Sequence, residues 1–151
     1  IGAKTKDFKM KIKSTIIAKN EDETRKLGLE LGRRAEPGQI IALIGDLGTG
    51  KTTLTKYIAE GLGITEVVSS PTFTVIKEYE SGRMPLYHFD VYRVGDPDEL
   101  FNIGAYEYFD GNGLCVIEWA DLIEDELPEN TDFIVIDYGE TEGERVYRCT
   151  F

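Results

Sequence analysis

Cysteine is scarce in this chain. Two occur among 151 residues, Cys115 and Cys149, both within stretches that read as strands. Two thiols make no disulfide framework, so packing must hold the core, and a reducing compartment is the expectation. Long apolar runs are missing too. None approaches the roughly 18 residues of a membrane span, and the N-terminus lacks the apolar stretch of a signal peptide, which points to the cytoplasm and away from any membrane. Positive charge is in short supply: 17 Lys and Arg stand against 28 Asp and Glu, a formal net charge of −11. Such a surface opposes unaided binding to nucleic acid, whose phosphates need Lys and Arg to displace counterions. Lys9, Lys11 and Lys13 alternate on one strand face, with Arg33 and Arg34 near in sequence, but they read as a solvated edge. Any action on a nucleic acid is expected to run through partners.

With 41% hydrophobic and 30% charged residues, the chain has the balance of one soluble globular domain with a real core. Met10 stands just ahead of a strand pattern. Residues 1–9 are therefore set aside as a cloning remnant or a processed, disordered start, leaving 10–151 as a single domain. From Phe8 to Ala18, Ile, Lys and Thr alternate roughly, a half-exposed strand. Asn20 with Glu23 forms a helix-capping pair, Leu27 and Leu31 give that helix its apolar stripe, and Gly28 and Gly32 would let it close on the sheet. Pro37-Gly38 turns the chain into a strand at 39–44. A second amphipathic helix runs from about Thr53 to Leu62 and stops at Gly63. Val67 to Thr74 reads as short strand or loop. Strands are expected at 73–80, 85–92, 113–118, 132–138 and 145–151, with a hairpin turn at Ser81-Gly82 and a short helix behind Asp96. Helices placed early and strands massed late predict an α/β sandwich, a mixed, partly antiparallel sheet flanked by helices.

Between the strand at 39–44 and the second helix lies Gly45-Asp46-Leu47-Gly48-Thr49-Gly50-Lys51-Thr52, a complete G-x-x-x-x-G-K-[ST] phosphate loop in strand–loop–helix context. Glycines let successive N–H groups turn inward at phosphate oxygens where a Cβ would obstruct them. Asp46, Leu47, Gly48, Thr49 and Gly50 would cradle the phosphates, and Lys51 would reach the β- and γ-phosphates. Thr52 would ligate Mg²⁺, and Thr53 opens the helix whose dipole adds to the anion site. The pattern predicts a P-loop NTPase-like α/β protein that binds a nucleoside triphosphate.

A phosphate loop needs acids to hold Mg²⁺ and orient the attacking group, usually at the carboxyl end of a buried strand. Three strands end in one: Leu86–Asp90, Leu114–Glu118 and Phe133–Asp137. The last two are uninterrupted apolar runs and read as central strands, whereas His88 interrupts the first. Spacing alone does not rank the three acids. Hydroxyls clustered beside a proline in Ser69-Ser70-Pro71-Thr72-Phe73-Thr74 could sense a γ-phosphate or form an ordinary turn. His88, the only histidine, reads as a packed or hydrogen-bonded strand residue. Trp119, the only tryptophan, would face opposite to Glu118 if the strand continued through it, and reads as a buried anchor.

Four segments in this order, the phosphate loop, Ser70-Pro71-Thr72-Phe73-Thr74, Tyr87-His88-Phe89-Asp90-Val91-Tyr92-Arg93 and Ile117-Glu118-Trp119, resemble the TsaE (YjeE) family without departure, within a match from about Glu23 to Leu127. The resemblance implies a bacterial ATPase of the pathway that makes threonylcarbamoyladenosine in tRNAs reading ANN codons. It also implies binding to TsaB-like and TsaD-like proteins, contact with tRNA only through that complex, and ATP hydrolysis that supports repeated turnover. By the same resemblance, Lys51 is the phosphate lysine, Thr52 a Mg²⁺ ligand and Thr72 part of a switch-like loop. Asp90 and Glu118 become the acids for metal binding and hydrolysis, Trp119 becomes functional, and Asp137 structural. A small nucleoside or nucleotide kinase is the main rival, with Asp90 and Arg93 as base and clamp. Only Arg83 and Arg93 lie between Lys51 and Glu144, however, too few for an arginine-bearing lid. A guanine-nucleotide switch is weaker still, because no Asn-Lys-x-Asp segment is present.

Overall fold

Apolar strands and amphipathic helices can bury their apolar surfaces together by placing helices on both faces of one sheet. The computed structural model, in which residues 11–71 and 74–151 are described, has that architecture. Its strands are β1 (Ser14–Ala18), β2 (Ile40–Ile44), β3 (Ile76–Tyr79), β4 (Leu86–Asp90), β5 (Leu114–Glu118), β6 (Asp132–Tyr138) and β7 (Arg145–Cys149). Across the sheet they run β1-β7-β6-β2-β5-β4-β3. The four central strands β6, β2, β5 and β4 are parallel. At one end β7 and β1, and at the other β3, are antiparallel to their neighbours. Parallel strands need cover on both faces, and β2 and β5 are buried at every position. The mixed α/β sandwich expected from the sequence is the fold.

On one face lie α1 (Glu21–Arg34) and α2 (Lys51–Gly61); on the other lie α3 (Pro97–Asn102), α4 (Ala105–Phe109) and a 3-10 segment, Ala120–Glu126. Two apolar clusters result. Leu54 and Ile58 of α2, with Leu62 just past its end, meet Leu43, Val116 and Ile134 on the first face. Leu100, Phe109 and Ile123 meet Ala42, Phe89 and Ile117 on the second. Truncating a fully buried anchor such as Leu54 to Ala would cost about 2–5 kcal/mol. β2 thus delivers the chain to the phosphate loop from the middle of a rigid core.

Several local expectations need adjusting. β1 begins at Ser14; the expected start at Phe8, and Lys9 with it, lies outside the described residues. Asn20 caps α1 through Glu23 N–H (3.0 Å), but the Glu23 carboxylate reaches back to Lys19 N–H (2.6 Å), one residue earlier than a reciprocal box requires. Gly28 and Gly32 serve a close approach to α2, not to the sheet. A Cβ on Gly28 would stand 2.3 Å from Tyr57 Cβ, and one on Gly32 would stand 2.2 Å from the Ile58 carbonyl oxygen. Two elements, α4 and the 3-10 segment, had no counterpart in the sequence reading. The first is five residues long and the second seven with a kink at Ile123, too short and irregular to show a period.

Candidate functional site

Gly45–Thr52 joins β2 to α2. Gly48 (φ 84°) and Gly50 (φ 102°) adopt the left-handed conformation that side chains resist, which lets the loop curl before the helix. The carbonyl of Asp46 accepts from both Thr49 N–H (3.1 Å) and the Thr49 hydroxyl (2.8 Å), locking the curl. α2 then starts with no acidic residue in its first turn. Its first N–H groups have no intrahelical acceptor and, with the helix dipole, favour an anion there.

Lys51 is 5% exposed and donates to the Gly45 (2.6 Å) and Asp46 (3.0 Å) carbonyls. Its ammonium lies 4.0 Å from the centroid of the Trp119 ring. Burial pushes its pKa below the usual lysine value, against the opposing pull of Glu118, Asp121, Asp90 and Asp46. Trp119 reaches this position by breaking the alternation expected of it. The strand ends at Glu118, and Trp119 takes φ 62°, which turns its ring back over the lysine. Tyr92 packs against the indole at 4.7 Å between centroids, with the rings tilted by 48°.

Glu118 is 3% exposed and held from two sides. The Thr52 hydroxyl lies 2.9 Å from each carboxylate oxygen, and His88 Nε2 lies 2.6 Å from Oε2. Asp90 is the register partner of Glu118 on the neighbouring parallel strand. Its carboxylate accepts from the Ser70 hydroxyl (3.1 Å) and from Tyr92 N–H (3.0 Å). A cavity of about 330 Å³ brings Lys51, Thr52, Ser70, Asp90, Glu118 and Trp119 together with Leu47, Gly48, Gly50 and Thr53. A second cavity, of about 120 Å³, shares Gly50 and Thr53 and continues past Thr49 to Thr24, Arg145 and Tyr147. Asp46 contributes its backbone to the loop without lining either of these cavities. Thr72 falls outside the described residues. Asp137 is paired with Arg148 and lines neither cavity.

Sequence reasoning did not find the braces behind the loop. Tyr138 donates its hydroxyl to the Leu47 carbonyl (3.2 Å), and Arg145 donates to the Thr49 carbonyl (2.9 Å). The two are register partners, with the guanidinium 4.7 Å from the tyrosine ring centroid. No local motif marks either residue.

A parallel sheet core, a glycine-curled loop entering a helix N-terminus, and acids at the carboxyl ends of adjacent strands define a P-loop NTPase-like α/β protein. A family model, Threonylcarbamoyl adenosine biosynthesis protein TsaE, matches residues 18–147, and the chain belongs to that family. It is 54% identical over 117 residues to the tRNA threonylcarbamoyladenosine biosynthesis protein TsaE of Bacillus subtilis, covering 78% of this chain and 73% of that one. To the protein of the same name from Treponema pallidum it is 44% identical, with coverage of 76% and 84%. A crystal structure of Bacillus subtilis YdiB superposes with a TM-score of 0.78 at 44% identity, covering 91% of this chain and 85% of that one.

Proposed function

We propose that this chain is a weak Mg²⁺-dependent ATPase that supports threonylcarbamoyladenosine modification of tRNAs reading ANN codons, acting with TsaB-like and TsaD-like proteins. The observation that carries the reading is the meeting of Thr52 and Glu118 at 2.9 Å beside the phosphate loop, with Asp90 registered next to Glu118. Family membership and the shared description of the relatives support the tRNA-modification part. The net charge of −11 supports a subunit that meets tRNA through its partners.

Thr52, Glu118 and Asp90 supply only hard oxygen donors, the kind Mg²⁺ prefers, and would hold the ion. When bound, Mg²⁺ neutralises phosphate charge and acts as a Lewis acid toward a phosphoryl oxygen. The loop from Asp46 to Gly50 would supply N–H donors to the phosphates, with Thr53 at the start of the helix. Lys51, desolvated and hydrogen-bonded to two backbone carbonyls, gains from a polyanion, whose charge stabilises the ammonium that burial penalises. Trp119 covers it and limits water at the phosphates. Asp90, fixed through Ser70 and Tyr92, would orient the attacking water. The Ser70 contact ties that acid to the segment ahead of Pro71, which would let that segment respond to nucleotide occupancy. The second cavity is where ribose and base would extend from the loop.

Incubation of the isolated chain with a panel of nucleotides and product analysis should give slow, Mg²⁺-dependent conversion of ATP to ADP and phosphate. Adding the TsaB-like and TsaD-like proteins should raise turnover and, by reciprocity, tighten ATP binding. Flat affinity and turnover at saturating partner, or efficient phosphate transfer to a small acceptor, would replace this reading with a kinase.

A further inference from the structure

His88 is fully buried in β4, and the ATPase reading above gives it no task. The sheet register explains where it sits. β4 and β5 pair Asp90 with Glu118 and His88 with Val116, so His88 and Asp90 point to the same face, two residues apart. Asp90 therefore stands at the mouth of the site, and His88 stands one step behind it, diagonal to Glu118. That diagonal is the 2.6 Å contact between His88 Nε2 and Glu118 Oε2. On the other side the same carboxylate accepts from Thr52. A glutamate has three side-chain torsions. Alone at the end of a strand it would sample several rotamers; between an imidazole and a hydroxyl it has one.

The second ring nitrogen fixes which proton makes the contact. Nδ1 is buried with no hydrogen-bond partner among the described residues. A carboxylate only accepts, so Nε2 must carry the proton facing it. With the proton on Nε2, Nδ1 is a bare acceptor. With a proton on Nδ1, an N–H donor would be buried unpaired, the costlier state.

We propose that His88 is the positioning residue of this site, holding the Glu118 carboxylate in register with Thr52 through an Nε2–H donor. The proposal rests on the ATPase reading for its consequence in turnover, but not for its geometry. Partners of this kind, hydrogen-bonded to the groups that hold a metal, are worth about 10–100-fold in metal affinity or activity. His88 reaches the reaction only through Glu118.

Because His88 is the only histidine in the chain, the imidazole ¹⁵N spectrum of the labelled protein reports this residue alone. The expected spectrum, without nucleotide, shows a proton on Nε2. Absence of a proton on Nε2 overturns the proposal. His88→Leu removes the donor at similar volume, while His88→Gln can return an amide N–H to the place of Nε2. Mn²⁺ binding in the presence of ADP, followed by electron paramagnetic resonance, should weaken about 10–100-fold in His88→Leu and recover to within about fivefold of wild type in His88→Gln. Turnover should follow the same order, falling in kcat and not in ATP KM. Unchanged Mn²⁺ affinity in His88→Leu, or a His88→Gln variant that folds and binds as poorly as the leucine, sinks the idea. Absence of hydrolysis by the wild type would remove the ATPase reading instead, and the spectrum and the Mn²⁺ affinities would still decide this one.

Discussion

Glu118 and Asp137 lie at the carboxyl ends of the two strands that flank β2, Glu118 last in β5 and Asp137 next to last in β6, and only one of them reaches the phosphate loop. The difference is parity. Leu43 of β2 pairs with Glu118 of β5 and with Ile134 of β6. Side chains in register share a face, so Glu118 lies on the side of α2, as do Ile134, Ile136 and Tyr138. Asp137 is one residue out of phase, on the side where Val135 packs beneath the other helices. There it meets Arg148 across the β6–β7 ladder, with the two side chains 54% and 43% exposed. Two acids with similar apolar runs before them thus have different fates. One is desolvated and fixed by two hydrogen bonds; the other is a surface ion. β6 gives the loop Tyr138 in place of an acid, because Tyr138 has the right phase.

The sharpest way to break this contrast is to truncate each acid. Glu118→Ala and Asp90→Ala should each lower kcat for ATP hydrolysis about 10²–10³-fold, with ATP affinity changed far less, because their work falls in the transition state. Asp137→Ala should leave kcat within about twofold of wild type. A severe Asp137 variant with a mild Glu118 variant would reverse the assignment. Lys51→Ala should act on binding as well, weakening ATP about 10–100-fold through lost charge-assisted bonds to phosphate. The same substitution should not lower the stability of the nucleotide-free chain through its charge, since burial already disfavours the ammonium. Isothermal titration and thermal melts on one preparation measure both.

Parity also marks how far the sequence could be read. The loop was legible because every constraint on it is local: the glycines that permit positive φ, the lysine and the threonine fall within eight residues. The mixed sheet followed from segment order and composition. The three strand-end acids were visible as a set, but choosing among them needs the register of β2 with β5 and β6, and periodicity within one strand carries none of that. Resemblance, not periodicity, separated Asp137 from the other two. The fate of Trp119 turned on one backbone torsion that breaks strand alternation, and no neighbouring glycine or proline announced it. Gly28 and Gly32 were correctly read as a close approach, but the partner was α2 because small residues say how near and not to what. Tyr138 and Arg145 were invisible for a different reason. Their contacts to the loop span 91 and 96 residues and exist only once β6 and β7 have paired.

Tyr138→Phe tests whether the antiparallel flank does more than close the sheet. It deletes one hydroxyl and leaves the ring beneath Arg145. The Leu47 carbonyl lies in an exposed part of the loop and can turn to water, so the net cost should be about 0.5–1.5 kcal/mol. If that cost is met when nucleotide binds, KM for ATP should rise about two- to tenfold with kcat nearly constant. An unchanged KM would confine the brace to folding stability, and a fall in kcat comparable to that of Glu118→Ala would place Tyr138 at the chemistry itself.

The smallest effect should come from the acid on the wrong face. Asp137 and Arg148 form an ion pair with both side chains substantially exposed. Solvent screens such a pair, and ordering two side chains offsets much of the attraction, so it contributes about 0–1 kcal/mol. Asp137→Ala should therefore move the urea-unfolding free energy by no more than about 0.5 kcal/mol, and less still at high salt, where the remaining attraction is screened. Arg148→Ala should match it, and the double variant should show a coupling of similar size. A loss above about 2 kcal/mol that persists in high salt would mean that Asp137 supports the β6–β7 ladder by more than its charge. The loop brace at Tyr138, one residue on, would then depend on it, and the two strand ends beside β2 would no longer differ simply as a site and a surface.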